Sequence, residues 1–216
     1  MAKDKQQSQQ KQMKQKTKIK KTVKKTFYEV FAPLTSTKIM LYAASPEELN
    51  DKTVKIDLTK SLRGKNLELK LRIKNENGSL TGLAESATLA SSYVRKVVRK
   101  GTDYNEDSIA AQCRDMHVRI KPLLVTRRRV SKGILKTLRE TARKHLLTYL
   151  KTRNAEEIFS EIIANKLQKQ LAVKLKKIYP LALCEIRMFE ILSPIKDSER
   201  EQTKEAPEDI SQNTEE

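Results

Sequence analysis

The chain has 216 residues, with 45 Lys and Arg against 27 Asp and Glu, which gives a formal net charge of +18. That length suits one or two domains, and a pI of about 9.8 is typical of nucleic-acid binding, although a basic surface also suits a membrane or an acidic protein. Two Cys and two His are too few for a disulfide framework or a four-thiolate zinc site. Without an apolar run long enough for a membrane span or a secretory signal, we expect a cytosolic, reduced protein.

Charge divides the chain into three zones. Residues 1–25 hold ten Lys and one Asp, a net charge of +9, whereas residues 193–216 hold three basic and eight acidic side chains, a net charge of −5. Because neither segment can bury enough apolar area to offset chain entropy, we predict a disordered basic arm and a disordered acidic tail. Subtracting both from +18 leaves +14 for residues 26–192, which we predict to form a single domain.

Short alternating runs separated by turns fill the first half of this domain. In NLELKLRIK, for example, the apolar residues from Leu67 to Ile73 alternate onto one face. Such spacing predicts an antiparallel sheet that curls into a barrel. The predicted strands are FYEVFA, TKIMLY, KTVKIDL, NLELKLRIK, LTGLAESATLA, DSIAAQC and HVRIKPLLVT.

A short basic helix, SSYVRKVVRK at 91–100, interrupts these strands. One side is apolar, and the other carries Arg95, Lys96, Arg99 and Lys100. DYNED follows at 103–107, and we predict that it forms a loop, or else a metal site.

Two longer helices are predicted next. One spans about 131–153, and the other begins at N-cap Asn154, has Glu157 at the third helical position, and ends before Pro180. LALCEIRMFEIL, residues 181–192, reads as a final strand. The predicted fold class is therefore α+β, with a barrel-like antiparallel sheet, a short basic helix and two longer C-terminal helices.

The joint between strand HVRIKPLLVT and the helix at 131 carries three consecutive arginines. Like charges repel and weaken the folded state, so a partner of opposite charge is expected. Cations continue along the helix with spacings of four, three and four, which at about 100° per residue place them on one face. Guanidinium groups bind phosphate bidentately. The alternative is a solvated helix face with a charged loop. The predicted track consists of Arg127, Arg128, Arg129, Lys132, Lys136, Arg139 and Arg143.

Other patterns narrow the chemistry. The chain has four Phe, six Tyr and no Trp, and no aromatic-rich strand of the kind that stacks bases is evident. Nor is there a phosphate-binding glycine loop or a catalytic arrangement. We therefore predict contact with phosphates rather than bases, and neither an enzyme nor a protein with a cofactor, a metal or a small-molecule substrate. The arm adds further candidate RNA-binding residues: Lys18, Lys20, Lys21, Lys24 and Lys25.

Several segments resemble the small-subunit ribosomal protein family shared by archaea and eukaryotes, called eS-one or S-three-a-e. The resemblance covers about residues 25–192 and is most specific over 118–192. The length of the chain is closer to that of the archaeal members than to that of the longer eukaryotic ones. The matching segments are KTFYEVFAP, DLT, SSYVRKVVRKGTD, VRIKPLLVTRRRVSKGILKTLRE and KKIYPLALCEIRMFEIL.

The resemblance implies a structural protein of the small ribosomal subunit, bound to the ribosome in the cytoplasm. It implies a position on the platform near the rRNA 3′ end and the mRNA exit. The implied partners are small-subunit rRNA, neighbouring ribosomal proteins and mRNA. From the residues alone, a free nucleic-acid-binding regulator or RNA chaperone stays an alternative.

Overall fold

The computed structural model describes residues 24–62, 64–76 and 78–194. Strands and helices are mixed in this part of the chain. The strands are β1 Thr26–Ala32, β2 Thr37–Ala43, β3 Thr53–Asp57, β4 Leu67–Glu76, β5 Ser79–Leu89, β6 Tyr104–Glu106, β7 Ile109–Gln112, β8 Met116–Thr126 and β9 Leu181–Pro194. The helices are α1 Ser91–Val97, α2 Lys132–Lys151, α3 Ala155–Ile163 and α4 Lys166–Lys176, and a short 3-10 turn spans Glu47–Leu49.

All nine strands belong to one sheet, whose main path runs β2-β1-β5-β9-β8-β6. β4 pairs with β5 and β3, and β7 pairs with β8. β9 is antiparallel to β5 on one side and to β8 on the other. The last strand of the described chain therefore joins the two halves of the sheet.

The predicted barrel is wrong, because the sheet is open. One edge of β5 is divided, with Leu80 and Thr81 paired in parallel to β1 and Ser86–Thr88 paired to β9. The sheet therefore forks instead of closing on itself. Helices cover most of its apolar face, and the residues under β1 and β2 form a small cluster of their own, so closure is not needed to bury that face.

The main core lies between this face and helices α2, α3 and α4, and a smaller cluster that includes Ile73 of β4 lies beneath β1 and β2. Leu67, Leu69, Leu71 and Ile73 of β4 are each at most 1% exposed, which confirms the predicted alternation. Phe159 of α3 packs edge-to-face on Phe189 of β9, with ring centroids 4.7 Å apart, a preferred aromatic geometry.

The second predicted long helix is divided, so three helices follow the sheet instead of two. α3 begins as predicted, because the Glu157 carboxylate accepts a hydrogen bond from the Asn154 backbone N–H at 3.4 Å. It ends because Asn165 adopts the left-handed conformation, with φ 58°, which Asn tolerates better than most residues. The Gln168 side chain then donates a hydrogen bond to the Ile162 carbonyl at 3.0 Å.

Two smaller predictions also change. Helix α1 ends at Val97 instead of 100, because Val98 is extended and a turn follows in which Gly101 has φ 84°. The prediction that DYNED forms a loop is wrong for its three middle residues. Tyr104–Glu106 form strand β6, which pairs with Leu123–Val125 of β8.

A buried ion pair ties three distant parts of the chain together. The Lys65 ammonium lies 2.5 Å from a Glu185 carboxylate oxygen and donates to the Asn165 side-chain carbonyl at 2.7 Å. The side chains of Lys65 and Glu185 are only 8% and 12% exposed. Water can solvate only a small part of either side chain, so each charge depends on the other.

We predict that Lys65→Met destabilises the protein by about 3–5 kcal/mol, because it leaves the Glu185 carboxylate buried and unpaired. Adding Glu185→Leu should restore much of that loss. Urea unfolding followed by circular dichroism gives both values. A double variant less stable than Lys65→Met would contradict this account.

Candidate nucleic-acid interface

The sheet topology brings the two predicted basic clusters together. β5 and β8 are both antiparallel to β9, so they run in the same direction on either side of it. Their carboxyl ends therefore point to the same end of the sheet. Helix α1 follows β5, and the loop with the three arginines follows β8.

These two segments border an open groove of about 560 Å³. Its apolar lining residues include Val125 and Leu183, which are paired across β8 and β9. Four cations also line it, and no acid occurs among the described residues that line the groove. The lining cations are Lys96, Arg99, Lys100 and Arg127.

The turn after α1 places two of these cations. Gly101 has φ 84°, a conformation that favours glycine. The Thr102 hydroxyl donates a hydrogen bond to the Arg99 carbonyl at 2.7 Å and holds the turn closed. Arg99 and Lys100 are therefore exposed at a fixed bend of the backbone.

Buried polar contacts also shape the arginine loop. Thr126 is 1% exposed, and its hydroxyl accepts a hydrogen bond from the Asp103 backbone N–H at 3.0 Å and lies 2.8 Å from the Arg128 carbonyl, to which it can donate. The Asp103 carboxylate accepts from the Val130 backbone N–H at 2.8 Å. Thr126 and Asp103 could not be identified as functional from the sequence, because their roles depend on pairing between distant segments.

All seven cations of the predicted track are exposed, but they differ in their partners. Arg127, Arg128, Arg129 and Lys132 have no hydrogen bond or ion pair through their side chains to any described residue. Lys132 begins α2, whose first turn contains no acid, so the positive end of the helix dipole adds to these charges. Anions are favoured at such a helix terminus.

The far end of the track is partly neutralised. Arg143 lies 3.5 Å from the Asp107 carboxylate, and Arg139 donates to the Asn105 side-chain carbonyl at 3.1 Å. Lys136 lies 3.9 Å from Glu140. Of the two acids beside the track, Asp107 comes from the distant segment 103–107, whereas Glu140 lies within α2 itself. The cations freest to bind a ligand are therefore those at the loop end.

The other candidate residues lie elsewhere. Arg95 is exposed but does not line the groove. Lys24 and Lys25 precede β1, which is separated from β8 by β5 and β9 in the sheet order. Lys18, Lys20 and Lys21 lie outside the described residues.

Tyr93, which lines the groove, and the two cysteines of the domain are held in their protonated forms. Burial raises the pKa of Tyr93, and the nearby Glu185 carboxylate raises it further, so the groove hydroxyl stays protonated. Burial also raises the pKa of the free thiols Cys113 and Cys184 to about 12. Within residues 24–62, 64–76 and 78–194, no three His, Cys, Asp or Glu side chains gather as metal ligands. No helix in this part of the chain has the length and apolar character needed to cross a bilayer.

The described part of the chain is thus a mixed α and β domain with a basic groove beside a loop of three exposed arginines. The model of the Ribosomal S3Ae family matches residues 10–194, so the chain belongs to this family.

Relatives agree with this membership. The small ribosomal subunit protein eS1 of Pyrobaculum islandicum is 28% identical over 195 residues, which are 84% of this chain and 85% of that protein. The eS1 of Methanothermobacter thermautotrophicus is 27% identical over 138 residues, with coverage of 63% and 71%. The eS1 of Nanoarchaeum equitans is 30% identical over 106 residues, with coverage of 49% and 54%.

We predict that Thr126→Val, which keeps the side-chain volume, destabilises the protein by about 1–3 kcal/mol, because Asp103 and Arg128 lose a buried partner. RNA affinity should fall because the loop is no longer held in place. The salt dependence of binding should stay the same, because no cation is removed.

Thermal unfolding and filter binding at several salt concentrations measure these effects. Thr148→Val serves as a control, since its hydroxyl makes an exposed hydrogen bond within α2. Equal effects of both variants on affinity would show that Thr126 does not hold the loop.

Proposed function

We propose that this protein is a structural constituent of the small ribosomal subunit and binds rRNA phosphates through the groove and the arginine loop. Family membership and the names of its relatives support the proposed role in the small ribosomal subunit. The proposed phosphate interface rests on one observation: four cations line a single groove. They are Lys96, Arg99, Lys100 and Arg127.

The geometry favours contact with a phosphate backbone. Cations at the groove and in the loop can neutralise successive phosphates, whereas the pairing of Arg139 and Arg143 with the segment 103–107 orients these two side chains. We propose that Lys132 and Lys136 extend the contact along α2. Phosphate contacts position a protein on RNA and carry no base information.

By resemblance to the family, we propose that the domain lies on the platform of the subunit, near the rRNA 3′ end and the mRNA exit. Neighbouring ribosomal proteins and mRNA would then be within reach. The basic arm at 1–25 would contact rRNA as well, and order on binding. The arm, the domain at 26–192 and the acidic tail at 193–216 would act as three separate parts.

A free regulator or RNA chaperone is the second candidate, and it is favoured only by the overall charge. Sedimentation of a cell extract separates the two. A subunit protein migrates with the small subunits and stays there through a moderate salt wash, whereas a free regulator stays near the top of the gradient.

We predict that changing Arg127, Arg128 and Arg129 together to Gln makes the slope of log affinity against log salt shallower by about 2–3 units, since each lost phosphate contact contributes roughly 0.7–0.9. The fold should persist, because Thr126 and Asp103 hold the loop through its backbone. Binding of the full-length chain to small-subunit rRNA is measured across a salt series.

A matched control removes the same charge elsewhere. Lys55, Lys60 and Lys74 are exposed on or beside β3 and β4, and their joint change to Gln should alter the slope little. If both triple variants change the slope equally, only net charge matters, and the proposed interface is wrong.

A further inference from the structure

The hairpin of β1 and β2 has an apolar outer face. Its inner side chains, such as Val30 and Ala43, are buried in a small core cluster. Outer positions on a half-buried antiparallel sheet are usually polar. Here they include four large apolar side chains: Phe27, 71% exposed; Phe31, 44%; Met40, 64%; and Tyr42, 59%.

Aromatic rings on this face are brought together by the strand register. Phe27 lies directly opposite Tyr42, and their ring centroids are 5.0 Å apart with the planes tilted by 45°. Phe31 lies four residues further along β1, about 13 Å away at the usual rise of a strand. The face thus offers two aromatic positions that are open to solvent.

Cations flank both positions. The Lys25 ammonium lies 5.8 Å from the centroid of the Tyr42 ring, and Lys38 is the cross-strand partner of Phe31. Glu29 is the acid on this face, and Lys38 pairs with it at 2.6 Å.

We propose that this outer face is a stacking platform for unpaired bases of single-stranded RNA. Exposed rings beside cations are the combination that binds single strands, since bases stack on the rings while the cations attract the backbone. A protein partner is less well matched, because the core of a protein interface is depleted of charge. This proposal departs from the expectation that no strand stacks bases, because the aromatic residues of this face come from two strands.

This inference takes its ligand class from the proposed function but uses a separate surface. β2 and β1 are the first two strands of the main sheet path. The groove is lined by α1, β8 and β9, which lie further along that path. The groove would bind the phosphates of structured rRNA, and the hairpin would bind bases that are not paired. Stacking does not select a sequence, because every base has a π-face.

The test uses fluorescence. The chain has no Trp, so Phe27→Trp introduces a single reporter at the platform of the full-length protein. Titration with single-stranded oligoadenylate should quench its emission, because a base stacks on the indole. A duplex RNA of equal charge should leave the emission nearly unchanged.

A second measurement uses affinity. Changing Phe27 and Tyr42 together to Leu keeps apolar character but removes the rings, and binding to oligoadenylate should weaken roughly tenfold or more. The salt slope should stay the same, because no cation is lost. Met40→Leu on the same face is the control, with an expected change of less than about twofold.

Absence of quenching, together with unchanged affinity of the double Leu variant, would overturn the proposal. If that variant instead leaves the small subunits while keeping its affinity for oligoadenylate, the face docks a protein and the proposal is equally wrong. If the proposed phosphate interface at the groove is wrong, this is detected separately, because the triple arginine variant then shows an unchanged slope of log affinity against log salt.

Discussion

The pairing of β9 with both β5 and β8 is the constraint on which the rest of the structure depends. β9 is the last strand of the described chain, and it joins strands that lie far apart in the sequence. Because β9 is antiparallel to both neighbours, β5 and β8 end at the same edge of the sheet. The segments that follow them, α1 and the arginine loop, are therefore brought next to each other. The Lys65–Glu185 pair fixes β9 further by joining it to the turn between α3 and α4.

The distribution of acids complements this constraint. Acids near the basic surface are engaged by specific groups: Glu185 by Lys65, Glu106 by Arg187 and Asp107 by Arg143. Asp103 accepts a hydrogen bond from a backbone N–H of the arginine loop. The acids therefore build the scaffold and leave the loop arginines unneutralised. Mutual repulsion among these arginines is the cost of that arrangement, and a phosphate backbone would relieve it.

Local patterns in the sequence were enough to predict most strands and the start of α2. The alternation in β4 and the Ser131 cap of α2, whose side chain accepts from the Ile134 N–H at 3.4 Å, both depend on residues close in the chain. The end of α3 was missed because Asn165 is held by Lys65, 100 positions away. The open sheet was missed because the fork at β5 depends on β9, which comes 92 residues after β5 in the chain.

The candidate site likewise has features that the sequence predicted and features that it could not predict. The helical spacing of its cations predicted one exposed face of α2, and the structure shows those side chains exposed. The groove could not be predicted, because it requires α1 and Arg127 to meet across β9. The aromatic pair of Phe27 and Tyr42 was hidden for a similar reason, since the two rings become neighbours only through the register of β1 and β2.

The most direct measurement of the central claim is ultraviolet crosslinking of native small subunits, followed by mass spectrometry of the peptides attached to RNA. If β9 assembles a phosphate interface from two segments, crosslinked peptides should come from both the region 91–103 and the region 125–136. RNA attached to only one of these regions, or to β3 and β4 in their place, would contradict the account.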